Sequence, residues 1–131
     1  MAKVKKIFAI LAAIECFVIM LLEMFFWEQA GMKINPAMTV EFLTQTVTMA
    51  ANQGLYNGFL GLGIVLGLIR KNKEMILFSL ACMIMASIYG AYSVDYMIIF
   101  KQGIIPLIAL ILMLLVKDRK TTLHFRTFHF R

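Results

Sequence analysis

Two carboxylates, Glu15 and Glu23, lie inside an apolar stretch, residues 7–27, of this 131-residue chain. An acidic side chain at the centre of a bilayer costs about 2.5–3.5 kcal/mol on insertion scales, so it persists there only with a partner or a purpose. Such side chains mark proton relays, ion pathways and ligand sites in membranes. We therefore expect at least one of the two glutamates to exchange a proton or to bind a cation.

Other polar groups are placed to join the two glutamates. At 1.5 Å per residue, Glu15 lies about 12 Å and Glu23 about 24 Å from the inner end of a helix over residues 7–27, and the two share one broad face. The remaining polar groups fall in the outer halves of later apolar segments. The sequence thus predicts one ligand-binding pocket, open to the extracytoplasmic side and formed by Glu15, Glu23, Asn52, Gln53, Tyr56, Asn57, Tyr89, Tyr92, Asp95, Lys101 and Gln102.

The composition indicates an integral membrane protein. Hydrophobic residues make up 62% of the chain and charged residues 15%, against about 45–50% and about 25% in soluble domains. A chain this short has too little interior to bury so much apolar sequence. The net charge of +6 comes from three separate clusters rather than a basic stripe on a polar fold, so nucleic acid is not an expected partner.

Four transmembrane helices are predicted, over residues 7–27, 50–69, 75–95 and 98–116, since a span needs about 20 residues. The fourth must begin near residue 98, because residues 103–116 alone would extend only about 21 Å. Residues 28–35 are expected to form a polar loop. Asn35 and Pro36 then resemble the N-cap and first position of a helix over residues 36–69, whose first part, residues 36–49, is an amphipathic stretch before the second span.

The basic residues predict the topology. They cluster before the first span, in the loop between the second and third spans, and in the tail at residues 117–131. By the positive-inside rule, both termini are cytoplasmic. The predicted fold class is an all-α, four-transmembrane-helix bundle that forms a single domain over residues 1–131, in the cell membrane. The basic tail either lies on an anionic leaflet or is disordered.

Small residues and cysteines receive structural interpretations. Gly54, Gly58 and Gly61 form a stripe on which a neighbouring helix can pack closely. Cys16 and Cys82 are interpreted as small buried hydrophobes. No catalytic residue, metal-ligand set or cofactor motif is assigned.

Several strings together carry a family resemblance. They are Glu15, Leu22-Glu23-Met24-Phe25 and Trp27-Glu28 in the first span, Tyr89-Gly90-Ala91, Gln102-Gly103 with Pro106, and above all Ala-Asn-Gln-Gly-Leu-Tyr-Asn-Gly-Phe-Leu at residues 51–60. Over roughly residues 7–116, the chain resembles a family of small bacterial and fungal four-helix integral membrane proteins of unknown function. The resemblance implies the fold and the polar pattern, and no activity.

Three functions remain open from the sequence. The favoured one is binding or transport of a small molecule or cation with proton coupling; because four helices enclose little volume, a homodimer is expected, with membrane lipids as further partners. The second is a structural or accessory membrane subunit, in which polar residues only hold the helices together. The third is a membrane-embedded enzyme that uses Glu23, Asp95 and a tyrosine for acid/base chemistry on a lipophilic substrate.

Overall fold

The computed structural model describes residues 2–116, which are helical apart from short turns. The α-helices of this range are α1 (Ala2–Phe25), α2 (Trp27–Ile34), α3 (Val40–Ile69), α4 (Lys73–Ser93) and α5 (Ile104–Leu115), and a π-helical segment, Ile99–Gly103, precedes α5. The all-α prediction is confirmed. The predicted basic tail, residues 117–131, lies outside the described residues.

The first predicted loop is helical, which corrects the expectation for residues 28–35. The chain bends at Phe26 (φ −129°, ψ 19°) and continues as α2. Helical hydrogen bonds continue on both sides of the bend: the Phe26 amide donates to the Leu22 carbonyl, and the Ala30 amide donates to the Phe26 carbonyl. Residues 28–33 include Glu, Gln, Ala, Met and Lys, which are good helix formers. Their polarity indicated a loop, but their helix propensity decides the conformation.

The start of α3 also differs from the prediction. Asn35 is the C-cap of α2 and not the N-cap of α3. Its side-chain oxygen accepts a hydrogen bond from the Ala37 amide, two residues on, which closes a turn. Thr39 is the N-cap instead and accepts from the Phe42 amide at 3.2 Å. The amphipathic stretch predicted over residues 36–49 therefore begins at Val40 and is continuous with the second predicted span. At 30 residues, α3 is about 45 Å long.

A three-residue turn joins α3 to α4. The Asn72 amide donates to the Gly67 carbonyl and the Lys71 amide to the Leu68 carbonyl, the hydrogen-bond pattern of a Schellman motif. Lys71 occupies the left-handed position of this motif, with φ 54°. The Asn72 side chain then caps α4 by accepting from the Met75 amide.

The last helical segment begins at Ile98, as predicted, so Lys101 and Gln102 lie within it. Its first turns are π-helical, over Ile99–Gly103. Pro106 has no amide hydrogen for the carbonyl four residues back, and such interruptions accompany local changes of helix type.

The long helices form a ring in the order α1, α3, α4, α5, in which each packs on the next and α5 packs back on α1. Small side chains of α1 lie at the centre and let the other helices approach. The core consists of Ala9, Ala12, Ala13, Cys16, Ile64, Ile76, Leu80, Met83, Ala109 and Met113. The short α2 packs on α3 beyond the end of α1. We call this end of the bundle the α2 end, and the opposite end, where α1 and α4 begin, the basic end.

Two of the described helices, α1 from Lys3 to Phe25 and α4, are long and apolar enough to cross a bilayer. The helical stretch Ile99–Leu115 is apolar but shorter. Large apolar side chains cover the outside of the bundle: Phe78 is 70% exposed and Leu115 76% exposed.

Candidate functional site

Close packing between α1 and α3 positions the candidate site. Gly54, Gly58 and Gly61 are buried against α1. A Cβ atom built at Gly54 would lie 3.0 Å from the Glu23 Cβ, and one at Gly61 would lie 3.0 Å from the Cys16 Cβ. The two backbones therefore approach along a stripe without side chains, and the predicted small-residue packing is confirmed.

This approach brings Glu23 and Asn57 together. The Asn57 side-chain amide donates to Glu23 Oε2 at 3.1 Å and also to the Gln53 carbonyl at 3.4 Å. Both side chains are half-buried. The carboxyl group thus receives a neutral donor from the neighbouring helix, which leaves its charge uncompensated.

Glu15 lies two turns earlier on α1 in a different setting. Its side chain is half-buried, and within residues 2–116 its Oε2 atom is buried without a hydrogen-bond partner. Leaving a buried oxygen unpaired costs about 1–3 kcal/mol. A proton donor or a cation would satisfy this atom.

The two glutamates form separate positions on one helix rather than a single cluster. They are eight residues apart in sequence, which is about 12 Å along the helix axis. Of these two glutamates, Glu23 alone has an interhelical hydrogen bond to another residue of the described range 2–116. Within the described range, no three His, Cys, Asp or Glu side chains are grouped closely enough to hold a metal ion.

Five predicted site residues lie on the outer surface of the bundle. Their side chains are exposed, and Tyr92 has the largest exposed fraction of the three tyrosines, 89%. The Tyr56 ring packs edge-on against Phe59, with ring centroids 6.0 Å apart. In a single copy of the chain, these five residues face outward and do not line an enclosed pocket: Asn52, Gln53, Tyr56, Tyr89 and Tyr92.

The last three predicted site residues belong to the α4–α5 connection. Asp95 accepts a hydrogen bond from the Met97 amide at 3.0 Å and so closes its own turn. The Lys101 ammonium donates to the Ile34 carbonyl at 3.0 Å, at the C-terminal end of α2. Gln102 is half-buried in the π-helical segment. The sequence analysis had placed Lys101 in one pocket with the two glutamates, whereas its ammonium lies at a helix C-terminus, where cations are favoured.

Polar contacts between α2 and α3 were not anticipated. The Trp27 indole N–H donates to Thr46 Oγ1 at 3.0 Å, and Thr44 Oγ1 donates to Glu28 Oε1 at 2.8 Å. The sequence shows polar residues in both segments. It does not show that residues 27–34 form a helix, which is what places Trp27 and Glu28 opposite the threonines of α3.

A cavity of about 150 Å³ at the basic end was also missed. It is lined by Lys5, Lys6, Gly67, Leu68, Lys71, Lys73, Ile76 and Met113. Lys5 is buried, and its ammonium donates to the Val116 carbonyl at 3.0 Å. The same lysines had been used only to predict topology. We call this feature the lysine cavity.

Comparison with other sequences gives one family and one relative. A sequence model for the family described as "Protein of unknown function (DUF1304)" matches residues 10–114. An uncharacterized protein from Lactococcus lactis, YpaA, is 32% identical over 109 residues, which cover 80% of this chain and 92% of the relative. No solved structure is significantly similar.

Proposed function

The chain belongs to the DUF1304 family of proteins of unknown function, as the sequence resemblance led us to expect, and we propose its function from the geometry. It is a four-span protein of the cell membrane. The two carboxyl groups on α1 bind a small molecule or cation and exchange protons with it. The observation that carries the proposal is the buried, unpaired Oε2 atom of Glu15.

Packing supports four spans. The helices α1 and α4 meet the length and hydropathy expected of a span, and each packs against both α3 and α5. A helix paired along its length with a spanning helix shares its depth in the bilayer. Asn52, Gln53 and Asn57 lower the hydropathy of α3, and a bundle can place such residues on polar or paired faces.

Charge supports the orientation. The bond from Lys5 to the Val116 carbonyl joins the beginning of α1 to the end of α5, so both lie at the basic end. The basic residues of this end are Lys3, Lys5, Lys6, Arg70, Lys71 and Lys73. At the α2 end, Lys33 and Lys101 are accompanied by acidic residues. We therefore place the basic end in the cytoplasm.

The chemistry follows from the cost of a charge in hydrocarbon. An ionised Glu15 would need a cation, and an un-ionised Glu15 carries a proton that it can give up. Competition between the proton and a cationic ligand for one carboxyl group couples their binding. Glu23 lies nearer the extracytoplasmic side, where a ligand would meet it first, and Asn57 orients its carboxyl group.

A homodimer completes this proposal. The polar surface of Asn52, Gln53, Tyr56, Tyr89 and Tyr92 is exposed in one copy, and a second copy would enclose it beside Glu23. The mass of the protein–detergent complex, measured by light scattering, should correspond to two chains. A monomeric mass would contradict the dimer without affecting proton exchange at Glu15.

Proton release tests the function directly. We expect the purified protein, in a weakly buffered detergent solution, to bind the probe cation tetraphenylphosphonium and to acidify the solution as it does so. Glu15→Gln and Glu23→Gln should each reduce the release. Glu41→Gln is the matched control, because Glu41 is exposed in the first turn of α3. Binding without any proton release, or equal release from all variants, would contradict the proposal.

A second candidate function rests on the Glu23–Asn57 hydrogen bond. Interhelical bonds of this kind stabilise membrane bundles by about 0.6 kcal/mol on average, so a structural or accessory subunit would also contain one. In that case Glu23→Ala, which removes the acceptor that a glutamine would keep, would lower thermal stability while no variant altered proton release. The two measurements on the same variants separate the candidates.

A further inference from the structure

We propose that the lysine cavity binds a phosphate-bearing anion, with the headgroup of an anionic membrane lipid as its favoured source. The inference is independent of the carboxyl groups on α1, which lie deeper in the bundle. It rests on four lysines around one cavity, on the backbone of the turn that presents two of them, and on an apolar floor.

The lysines converge from two separate segments of the chain. Lys5 and Lys6 come from the first turns of α1, while Lys71 and Lys73 come from the α3–α4 turn and the start of α4. Positive groups gathered in one concave site raise the local concentration of anions. Topology alone requires basic residues on the cytoplasmic side and does not require them to line a common cavity.

Backbone dipoles of both signs meet at this cavity, because α4 begins there while α3 and α5 end near it. The cavity lies where α4 begins, and the amide groups at a helix N-terminus favour anions. Lys71 has a φ of 54°, at the helix-end position that glycine usually takes. Glycine would adopt this conformation with less strain but would contribute no ammonium group. Lys71 therefore brings an ammonium group to a position where the backbone alone would favour glycine.

The shape suits a phosphate joined to an apolar group. A cavity of about 150 Å³ holds a benzene-sized group in other proteins, which is enough for a phosphate and its first ester carbons. Leu68, Ile76 and Met113 form apolar lining beside the lysines. A soluble phosphate would use the lysines alone, whereas a lipid would use both surfaces.

Titration with short-chain lipids tests this inference. The full chain in a neutral detergent is titrated with dihexanoyl phosphatidylglycerol, dihexanoyl phosphatidylcholine or glycerol phosphate, and its thermal midpoint is followed by circular dichroism. We expect phosphatidylglycerol to raise the midpoint. Phosphatidylcholine should have a much smaller effect, because the lysines repel its trimethylammonium group. Stabilisation by glycerol phosphate equal to that by phosphatidylglycerol would support the phosphate site and identify a soluble source.

Variants distinguish the cavity from general surface charge. Lys6→Gln, Lys71→Asn and Lys73→Gln should each weaken the apparent affinity about fivefold, the effect of one cation beside an anionic headgroup. Asn tolerates the left-handed backbone at position 71. Lys3→Gln is the matched control, because Lys3 is exposed at the same end and does not line the cavity. Equal binding of both lipids, or an equal loss with Lys3→Gln, would overturn the proposal.

Discussion

Glu15 and Glu23 lie on the same helix two turns apart, and they differ in what surrounds them. Glu23 receives a hydrogen bond from Asn57 on α3. Glu15 has a buried carboxyl oxygen that no donor within residues 2–116 reaches. The two carboxyl groups therefore differ in their support: Glu23 is held by a hydrogen bond from α3, whereas Glu15 has a buried oxygen without a donor among residues 2–116.

The neighbouring side chains explain this difference. Glu23 lies beside the glycine stripe of α3, where the close backbones bring Asn57 within reach. Gly54 lies on this stripe opposite Glu23. A larger residue at position 54 would press against the Glu23 Cβ and the Met20 carbonyl and displace α1. Glu15 is next to Cys16, which is fully buried in the apolar core. The polar environment thus ends between the two glutamates.

The largest expected effect comes from separating α1 and α3. In Gly58→Leu, the new side chain would collide with Met20, so the free energy of unfolding should fall by about 3 kcal/mol. The Glu23–Asn57 bond should be lost with it. Unfolding of the purified protein by dodecyl sulfate in mixed micelles measures the change. Leu62→Phe, at a half-exposed position of the same helix, should change the unfolding free energy by less than about 0.5 kcal/mol; a similar loss in both would show that the glycine stripe is unimportant.

Replacing Glu15 by leucine should raise the free energy of unfolding, whereas Gly58→Leu should lower it. Glu15→Leu removes an unpaired buried oxygen and should stabilise the protein by about 2 kcal/mol, while abolishing its contribution to proton release. The same unfolding assay measures this gain. The control is Glu41→Leu, on an exposed surface, for which no stabilisation is expected. If Glu15→Leu destabilised the protein, Glu15 would have a structural partner and the contrast with Glu23 would be false.

Removing Asn57, the hydrogen-bond donor to Glu23, should lower the free energy of unfolding by less than Gly58→Leu does. Asn57→Ala leaves the carboxyl group without its donor, and we expect a loss of about 1 kcal/mol. A double-mutant cycle with Glu23→Ala, which removes the accepting carboxyl group, measures the coupling between the two residues. Asn52→Ala, one and a half turns earlier on the exposed surface, serves as the reference. Zero coupling would mean that the 3.1 Å contact contributes nothing to stability.

The smallest effect concerns the contacts beyond Glu23, at the α2 end. Thr46→Val removes the acceptor for the Trp27 indole and should lower the free energy of unfolding by about 0.5 kcal/mol. Because Trp27 is the only tryptophan in the sequence, its fluorescence reports this contact directly. Thr48→Val, at an exposed position, should leave the emission spectrum unchanged. An unchanged spectrum in Thr46→Val as well would show that α2 is not held to α3 by this bond.

The sequence predicted the helices where continuous apolar runs were long. Three predicted spans correspond closely to α1, α4 and the segment that begins at Ile98, because long apolar runs end at charged turns. The prediction was wrong over residues 27–39. Helix propensity makes residues 27–34 helical, and Thr39 caps α3 in place of Asn35. Polarity alone could not distinguish a loop from the short helix α2.

Prediction of the site was limited by the rotation of each helix. The sequence analysis placed Asn57 in one pocket with Glu23, and the close approach of α1 and α3 along the glycine stripe brings the two side chains together. Tyr89 and Tyr92 share their depth, but α4 packs on α3 and α5 and exposes these side chains. Depth follows from sequence position, whereas the direction in which a residue faces depends on the packing of neighbouring helices. The lysine cavity was missed for the same reason.

Infrared spectroscopy of the purified protein tests the central claim most directly. In the absence of ligand, the protein should show the carbonyl stretch of an un-ionised carboxylic acid in a water-poor environment, and Glu15→Gln should remove part of this band. Tetraphenylphosphonium should bleach the same band and produce a carboxylate band of matching intensity. A spectrum that is identical in Glu15→Gln and unchanged by tetraphenylphosphonium would contradict the exchange of a proton for a cation at Glu15.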